Sequence, residues 1–257
     1  MLRSRTIRRG LLLLALAACK PGFLPKNFRD LQGLYNASLR EYRRGHWDNA
    51  QAGFERLTLE LPARDPLLPK AYFMLGKTLN RKHQFLLAAQ DFTRLTEGFP
   101  DDSLADDALI EAGRAYANLW RKPPLDASYG QTAIATFRTL LALYPNSPLR
   151  ETAESEVRHL QEWLARKDYE TGMHYFRRKA YDSAIIYFRD VAKNYPSTSA
   201  ARLAQLRMVQ AYRSPAMRYY EDANEVCATL RQSYPDDREV RQTCGAPRTG
   251  TAKNTTP

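Results

Sequence analysis

Residues 181–196 read YDSAIIYFRDVAKNYP, and residues 85–100 read FLLAAQDFTRLTEGFP. Counted back from the closing proline, both carry an aromatic fifteen residues upstream, alanine at twelve, phenylalanine at eight and an aliphatic at five. Five segments repeat this spacing, four of them with the aromatic (Trp47, Phe85, Tyr181 and Tyr220), closing on Leu61-Pro62, Phe99-Pro100, Tyr144-Pro145, Tyr195-Pro196 and Tyr234-Pro235. The alanines are Ala50, Ala88, Ala133, Ala184 and Ala223; the position eight upstream holds Phe54, Phe92, Phe137, Phe188 and Cys227. Apolar residues three and four apart form one buried stripe on a helix. Proline ends that helix because it lacks the N–H of the next turn. Between these segments lie candidate partner helices at about 31–44, 68–82, 104–120, 150–178 and 200–213.

A helix pair recurring at such a period resembles the tetratricopeptide repeat, whose second helix carries the small alanine and the aromatic stripe. The resemblance implies an all-α fold, a right-handed superhelical solenoid of about five helix pairs. Ser38, Gly76, Gly172 and Ala211 fall where that family keeps small residues at the helix crossing. The prolines lie 38, 45, 51 and 39 residues apart, against a norm of about 34. Two features account for the excess. Lys122-Pro123-Pro124-Leu125-Asp126 interrupts the third pair as a long loop, and residues 150–178 read as one long helix.

The amino terminus indicates export. Basic residues 1–9 precede the apolar run Leu11–Leu16 and the small residues Ala17 and Ala18, the layout of a secretory signal. The apolar run is far short of the ~20 residues that span a bilayer. Leu16-Ala17-Ala18-Cys19 resembles the lipobox of bacterial lipoproteins, which implies removal of residues 1–18 and acylation of Cys19. Several acyl chains together make a stable anchor. Lys20 is compatible with sorting to the outer membrane. Residues 19–30, with two prolines and a glycine, read as a flexible tether, residues 31–244 as the repeat array, and residues 245–257 as a disordered tail.

Four of the eleven net positive charges are Arg3, Arg5, Arg8 and Arg9 of the signal, which leaves +7. A basic surface attracts anionic partners, but export argues against nucleic acid. His46, His83, His159 and His174 stand apart with no metal-ligand spacing, and phosphate-loop and nucleophile-elbow motifs are absent from the sequence. Asp101-Asp102 and Asp106-Asp107 follow Pro100 at a helix start, where negative charge offsets the dipole. The expected role is therefore binding, with no catalytic residues, metal or cofactor.

A lipobox, five divergent repeats, a long loop in the third and a long helix opening the fourth together resemble the BamD family. These are lipoproteins of the machine that inserts β-barrels into the outer membrane. The most specific stretch is 131–196, with Tyr144-Pro145-Asn146-Ser147, Ala165–Glu170 and Asn194–Thr198. The resemblance implies a lipid-anchored scaffold on the periplasmic face of the outer membrane, with two working faces. The amino-terminal repeats would receive unfolded outer-membrane proteins; the carboxy-terminal repeats would dock a POTRA-bearing barrel subunit (BamA-like). Positions beside the crossing residues give Tyr42, Arg43, Lys77, Arg81 and Arg114 as a substrate groove, although charge at these positions also suits an ordinary solvated face. Arg177 and Arg178, followed by Lys179, form the corner the family turns toward the barrel subunit. Cys227 and Cys244 fit either a disulfide or two free thiols. An alternative role is an envelope-organising lipoprotein linked to peptidoglycan or division machinery, but residues 20–34 show no heptads for the coiled coil expected there.

Overall fold

The computed structural model describes residues 22–122 and 126–245. Cys19, the signal segment, Pro123–Leu125 and the tail beyond Gly245 lie outside the described residues. Within them the chain forms one 3₁₀ turn, Pro25–Asn27, eleven α-helices and no strand. The helices are α1 (Leu31–Arg43), α2 (Trp47–Glu60), α3 (Leu68–Arg81), α4 (Phe85–Gly98), α5 (Ala105–Leu119), α6 (Ser128–Leu143), α7 (Arg150–Arg177), α8 (Tyr181–Asn194), α9 (Ser199–Tyr212), α10 (Tyr220–Ser233) and α11 (Arg238–Cys244). The fold is an all-α helical repeat. The five expected first helices are α1, α3, α5, α7 and α9, within one residue of the expected bounds. None of the helices is long and apolar enough to cross a membrane.

Two compact units divide between Ala112 and Gly113, so that α5 runs from one into the other. In the first unit α1 packs on α2 and α3 on α4; in the second, α7 packs on α8 and α9 on α10. The proline rule has a visible local form. Leu61, Phe99, Tyr144, Tyr195 and Tyr234 depart from helical geometry while each N–H still bonds to the carbonyl four residues back. The following proline supplies no further donor, and the helix stops. The turn between partners is also repeated. Gly45, His83, Lys179 and Arg218, each two residues before a second helix, have φ of 79°, 58°, 62° and 57°.

Size complementarity holds the partners together. A Cβ on Gly76 would lie 2.7 Å from the Phe92 ring, on Gly113 2.4 Å from Phe137, and on Gly172 2.6 Å from Phe188. All three rings are fully buried. In the fifth pair the corresponding positions hold Ala211 and Cys227, both fully buried. Cys227 is joined to Cys244 by a disulfide with Cα atoms 5.4 Å apart. This ties the short helix α11 into the place of a following repeat. Asp237 caps α11, accepting from Val240 N at 2.9 Å, while Arg231 donates to the Cys244 and Gly245 carbonyls and Arg213 to that of Thr243.

Residues 22–30, expected as part of a flexible tether, are held against the first helix pair. Phe23 lies 5.8 Å from Phe28 and against Gly53 of α2, and Arg56 donates to the carbonyls of Pro25 and Phe28. Two aromatic side chains give this stretch apolar area to bury, which its proline and glycine content conceals. Asp30 then caps α1, accepting from the backbone N–H of Gln32 and Gly33.

Candidate functional site

First helices of neighbouring pairs lie side by side and are joined by polar contacts. In the first unit Lys77 of α3 reaches Glu111 of α5 at 3.4 Å, its ammonium 6.0 Å from the centre of the Phe73 ring. Arg81 stands one turn further on, exposed. On α1, Tyr42 meets Trp47 edge-on at 5.1 Å. Arg43 is exposed near Tyr35, whose hydroxyl is pushed up by burial and drawn back by the Arg43 charge. Beside Tyr42, the buried carboxylate of Glu41 accepts from Asn49 at 2.7 Å, His46 at 2.8 Å and Arg44 at 3.2 Å. The Asn49 hydrogen bond, opposed by burial and helped by His46 and Arg44, holds its pKa below the usual range. Glu41 therefore fixes the α1–α2 turn next to the expected groove.

The second unit carries a longer series of such contacts. Arg114 of α5 donates to Glu156 of α7 at 3.1 Å. Further along α7, Glu162 accepts from the backbone N–H of Ser199, at the start of α9, at 2.9 Å, and from its hydroxyl. Arg202 of α9 bridges to Asp237 at 3.1 Å and Glu239 at 3.3 Å, at the base of α11. Of the expected groove residues, Lys77 and Arg114 thus have ion-pair partners on the next first helix, while Tyr42 is braced by an aromatic. The series itself depends on which helices become neighbours, and the repeat register gives only the order of the helices, not these pairs.

The basic corner of the fourth pair is exposed but rigidly mounted. Arg177 pairs with Glu170 at 3.2 Å and Arg178 meets the ring nitrogen of His174. The backbone N–H groups of Arg178 and Ala180 donate to Tyr175 O, each at 3.1 Å, and that of Lys179 donates to Phe176 O at 3.0 Å. Beneath the turn Tyr175 stacks on Tyr187 with ring centres 5.4 Å apart, and Phe176 packs on Tyr181 and Phe188. The corner therefore presents fixed cations above an aromatic base. Bidentate pairing with a partner carboxylate suits such geometry.

Comparison with known proteins places these features in a family. The chain is 24% identical over 210 residues to the outer membrane protein assembly factor BamD of Caulobacter vibrioides, covering 82% of this chain and 68% of that protein. It is 36% identical over 105 residues to the assembly factor BamD of Vibrio cholerae, covering 41% of this chain and 42% of that one. Among solved structures, the tetratricopeptide-repeat domain of P58(IPK) aligns with a TM-score of 0.44 at 14% identity, covering 83% of this chain and 54% of that one. The Thermus thermophilus repeat protein TTC0263 aligns at 0.37 and 17% identity, over 83% and 96%. The family described as YfiO, outer membrane lipoprotein, matches residues 29–230, most of the chain. The chain belongs to the YfiO family of outer membrane lipoproteins.

Proposed function

We propose that this chain is a lipid-anchored, non-enzymatic scaffold of outer-membrane protein assembly on the periplasmic face of the outer membrane. The family match over residues 29–230 carries the reading, and relatives whose names state that role support it. Residues 1–18 are removed, Cys19 is acylated, and the repeats stand in the periplasm. Tyr42, Arg43, Lys77 and Arg81 in the first unit, and Arg114 in the second, receive extended segments of unfolded outer-membrane proteins. The corner of Arg177 and Arg178 docks the POTRA-bearing barrel subunit. The corner's exposure and its mounting on Tyr175 and Phe176 favour that second assignment.

The test is affinity capture of the native chain from gently solubilised membranes, followed by mass spectrometry. A stoichiometric barrel protein with POTRA domains is the expected partner, and Arg178→Glu should reduce its recovery while leaving the helical spectrum unchanged. Recovery of peptidoglycan-binding or division proteins in its place would overturn the proposal. Cys19→Ser should move the chain from membranes to the soluble periplasmic fraction; retention in membranes would remove the anchor assignment.

A further inference from the structure

Residues 22–28 close one side of a cavity of about 480 Å³ against α1, with Gly22, Leu24, Phe28, Arg40, Glu41 and Arg44 in its lining. Arg56 holds the segment there through the Pro25 and Phe28 carbonyls, and Phe23 packs against Gly53. Among the described residues Glu41 is the lining's only carboxylate, and it already accepts from Asn49, His46 and Arg44. Arg40 is exposed and has no ion-pair partner among the described residues. Leu24, in the same lining, is 46% exposed. A cation with no counter-charge beside an exposed leucine matches the boundary of an anionic bilayer, where phosphate and acyl chain lie within a side chain's length of each other.

Chain length decides what covers this surface. Gly22 is three residues after Cys19, a separation that a fully extended chain spans with at most about 11 Å. A tether free as far as Asp30 would instead reach about 38 Å. Because residues 22–30 are docked, acylation of Cys19 brings the Gly22 edge of the cavity to within about 11 Å of the lipid head groups. That is comparable with the screening length of about 8–10 Å at physiological salt. We propose that this cavity receives the phosphate head group of an anionic phospholipid, so that this face of the first helix pair lies on the membrane. Arg40 donates to the phosphate, joined by the N–H groups of Arg44 that Glu41 does not use, and Leu24 enters the apolar edge. The inference rests on acylation of Cys19 and adds to the anchor a second, non-covalent contact.

The experiment is cosedimentation of the mature-length chain carrying Cys19→Ser, so that no acyl chain contributes, with vesicles at low ionic strength. The vesicles are phosphatidylcholine alone or phosphatidylcholine mixed with phosphatidylglycerol. Binding should be at least about tenfold tighter to the anionic vesicles. Arg40→Glu should weaken it by about tenfold, and Leu24→Asp by about fivefold. Arg238→Glu, also an exposed reversal but in the second unit, should weaken it by less than about twofold, because its charge lies outside the contact. Circular dichroism checks that each variant is folded. Absence of binding to the anionic vesicles, equal losses in Arg40→Glu and Arg238→Glu, or full binding by Leu24→Asp overturns the inference. Salt at physiological strength screens the contact, so it does not replace the anchor. The mass of the amino-terminal peptide from the native chain reports acylation of Cys19 directly, and failure of the anchor is thereby told apart from failure of this contact.

Discussion

The ring of Phe188 occupies the space that a side chain on Gly172 would need, with its nearest carbon 2.6 Å from where the Cβ would lie. Sixteen residues separate them, as they separate Gly76 from Phe92. Gly172→Ala should lower unfolding free energy by about 1–3 kcal/mol, the usual cost of overpacking. Urea unfolding followed by circular dichroism measures it. In the double variant with Phe188→Leu the two losses should not add, because both act on one contact. Additive losses would disprove the packing account.

The left-handed turn residues give a prediction of opposite sign. Lys179 holds φ at 62°, a conformation that costs a side-chain-bearing residue about 1–2 kcal/mol and glycine little. Lys179→Gly should raise stability by about 0.5–1 kcal/mol after the entropy of the glycine chain is subtracted. Gly45→Ala, at the matching turn with φ of 79°, should lower it by about 1 kcal/mol. Thermal unfolding of the two variants side by side checks both signs.

Two buried carboxylates should give opposite pH behaviour. Burial pushes Asp91 up to about 6 despite the opposing Arg94 guanidinium at 2.9 Å, with the Glu55 charge adding to the rise. The folded state then holds more protons than the unfolded between pH ~4 and ~6, and stability falls as pH rises through that window. Asp91→Asn should be more stable than the parent above pH ~6, by about 1–3 kcal/mol, and the gap should close toward pH 4. Glu41 has a lowered pKa through Asn49, His46 and Arg44. Its contribution is present above the unfolded carboxyl range and is lost as acid is added, so Glu41→Gln should cost stability at pH 7 and progressively less below pH ~4. Urea midpoints across pH 3.5–7.5 would follow both variants; a flat difference for Asp91→Asn would refute its assignment.

Removing the crosslink tests the terminal cap. The bridge spans 17 residues, for which closure of the unfolded chain is worth about 3 kcal/mol. Cys244→Ser should therefore unfold at markedly lower denaturant than the parent, and the parent in strong reductant should approach it. An unchanged midpoint would mean that the arginine contacts to Thr243, Cys244 and Gly245 hold α11 unaided.

The helices were legible because a proline, an alanine and an aromatic recur at fixed distances, and each marks a physical event in the repeat. The third crossing residue, Gly113, was missed for an equally physical reason. It lies 24 residues before Phe137 instead of sixteen, because extra sequence between α5 and α6 shifts the count while packing preserves the contact. Helix α11 had a readable signal in Asp237 and Gly245, cap residues at its two ends, but its seven residues show no stripe. The edge-on contact of Trp120 with Trp163, ring centres 5.8 Å apart, was not legible. Trp120 and Trp163 are 43 residues apart, and only the packing of α5 beside α7 brings them together.

In a stacked array each layer is steadied by its neighbours, so the outermost layer ordinarily frays first. The Cys227–Cys244 link ties the last helix pair among the described residues covalently to α11. Backbone amides in α10 and α11 should then exchange with solvent through cooperative opening of the whole pair, without the graded loosening typical of a chain end. Slow exchange would extend to the end of α11 while the bridge is intact, and retreat toward α9 once it is cut.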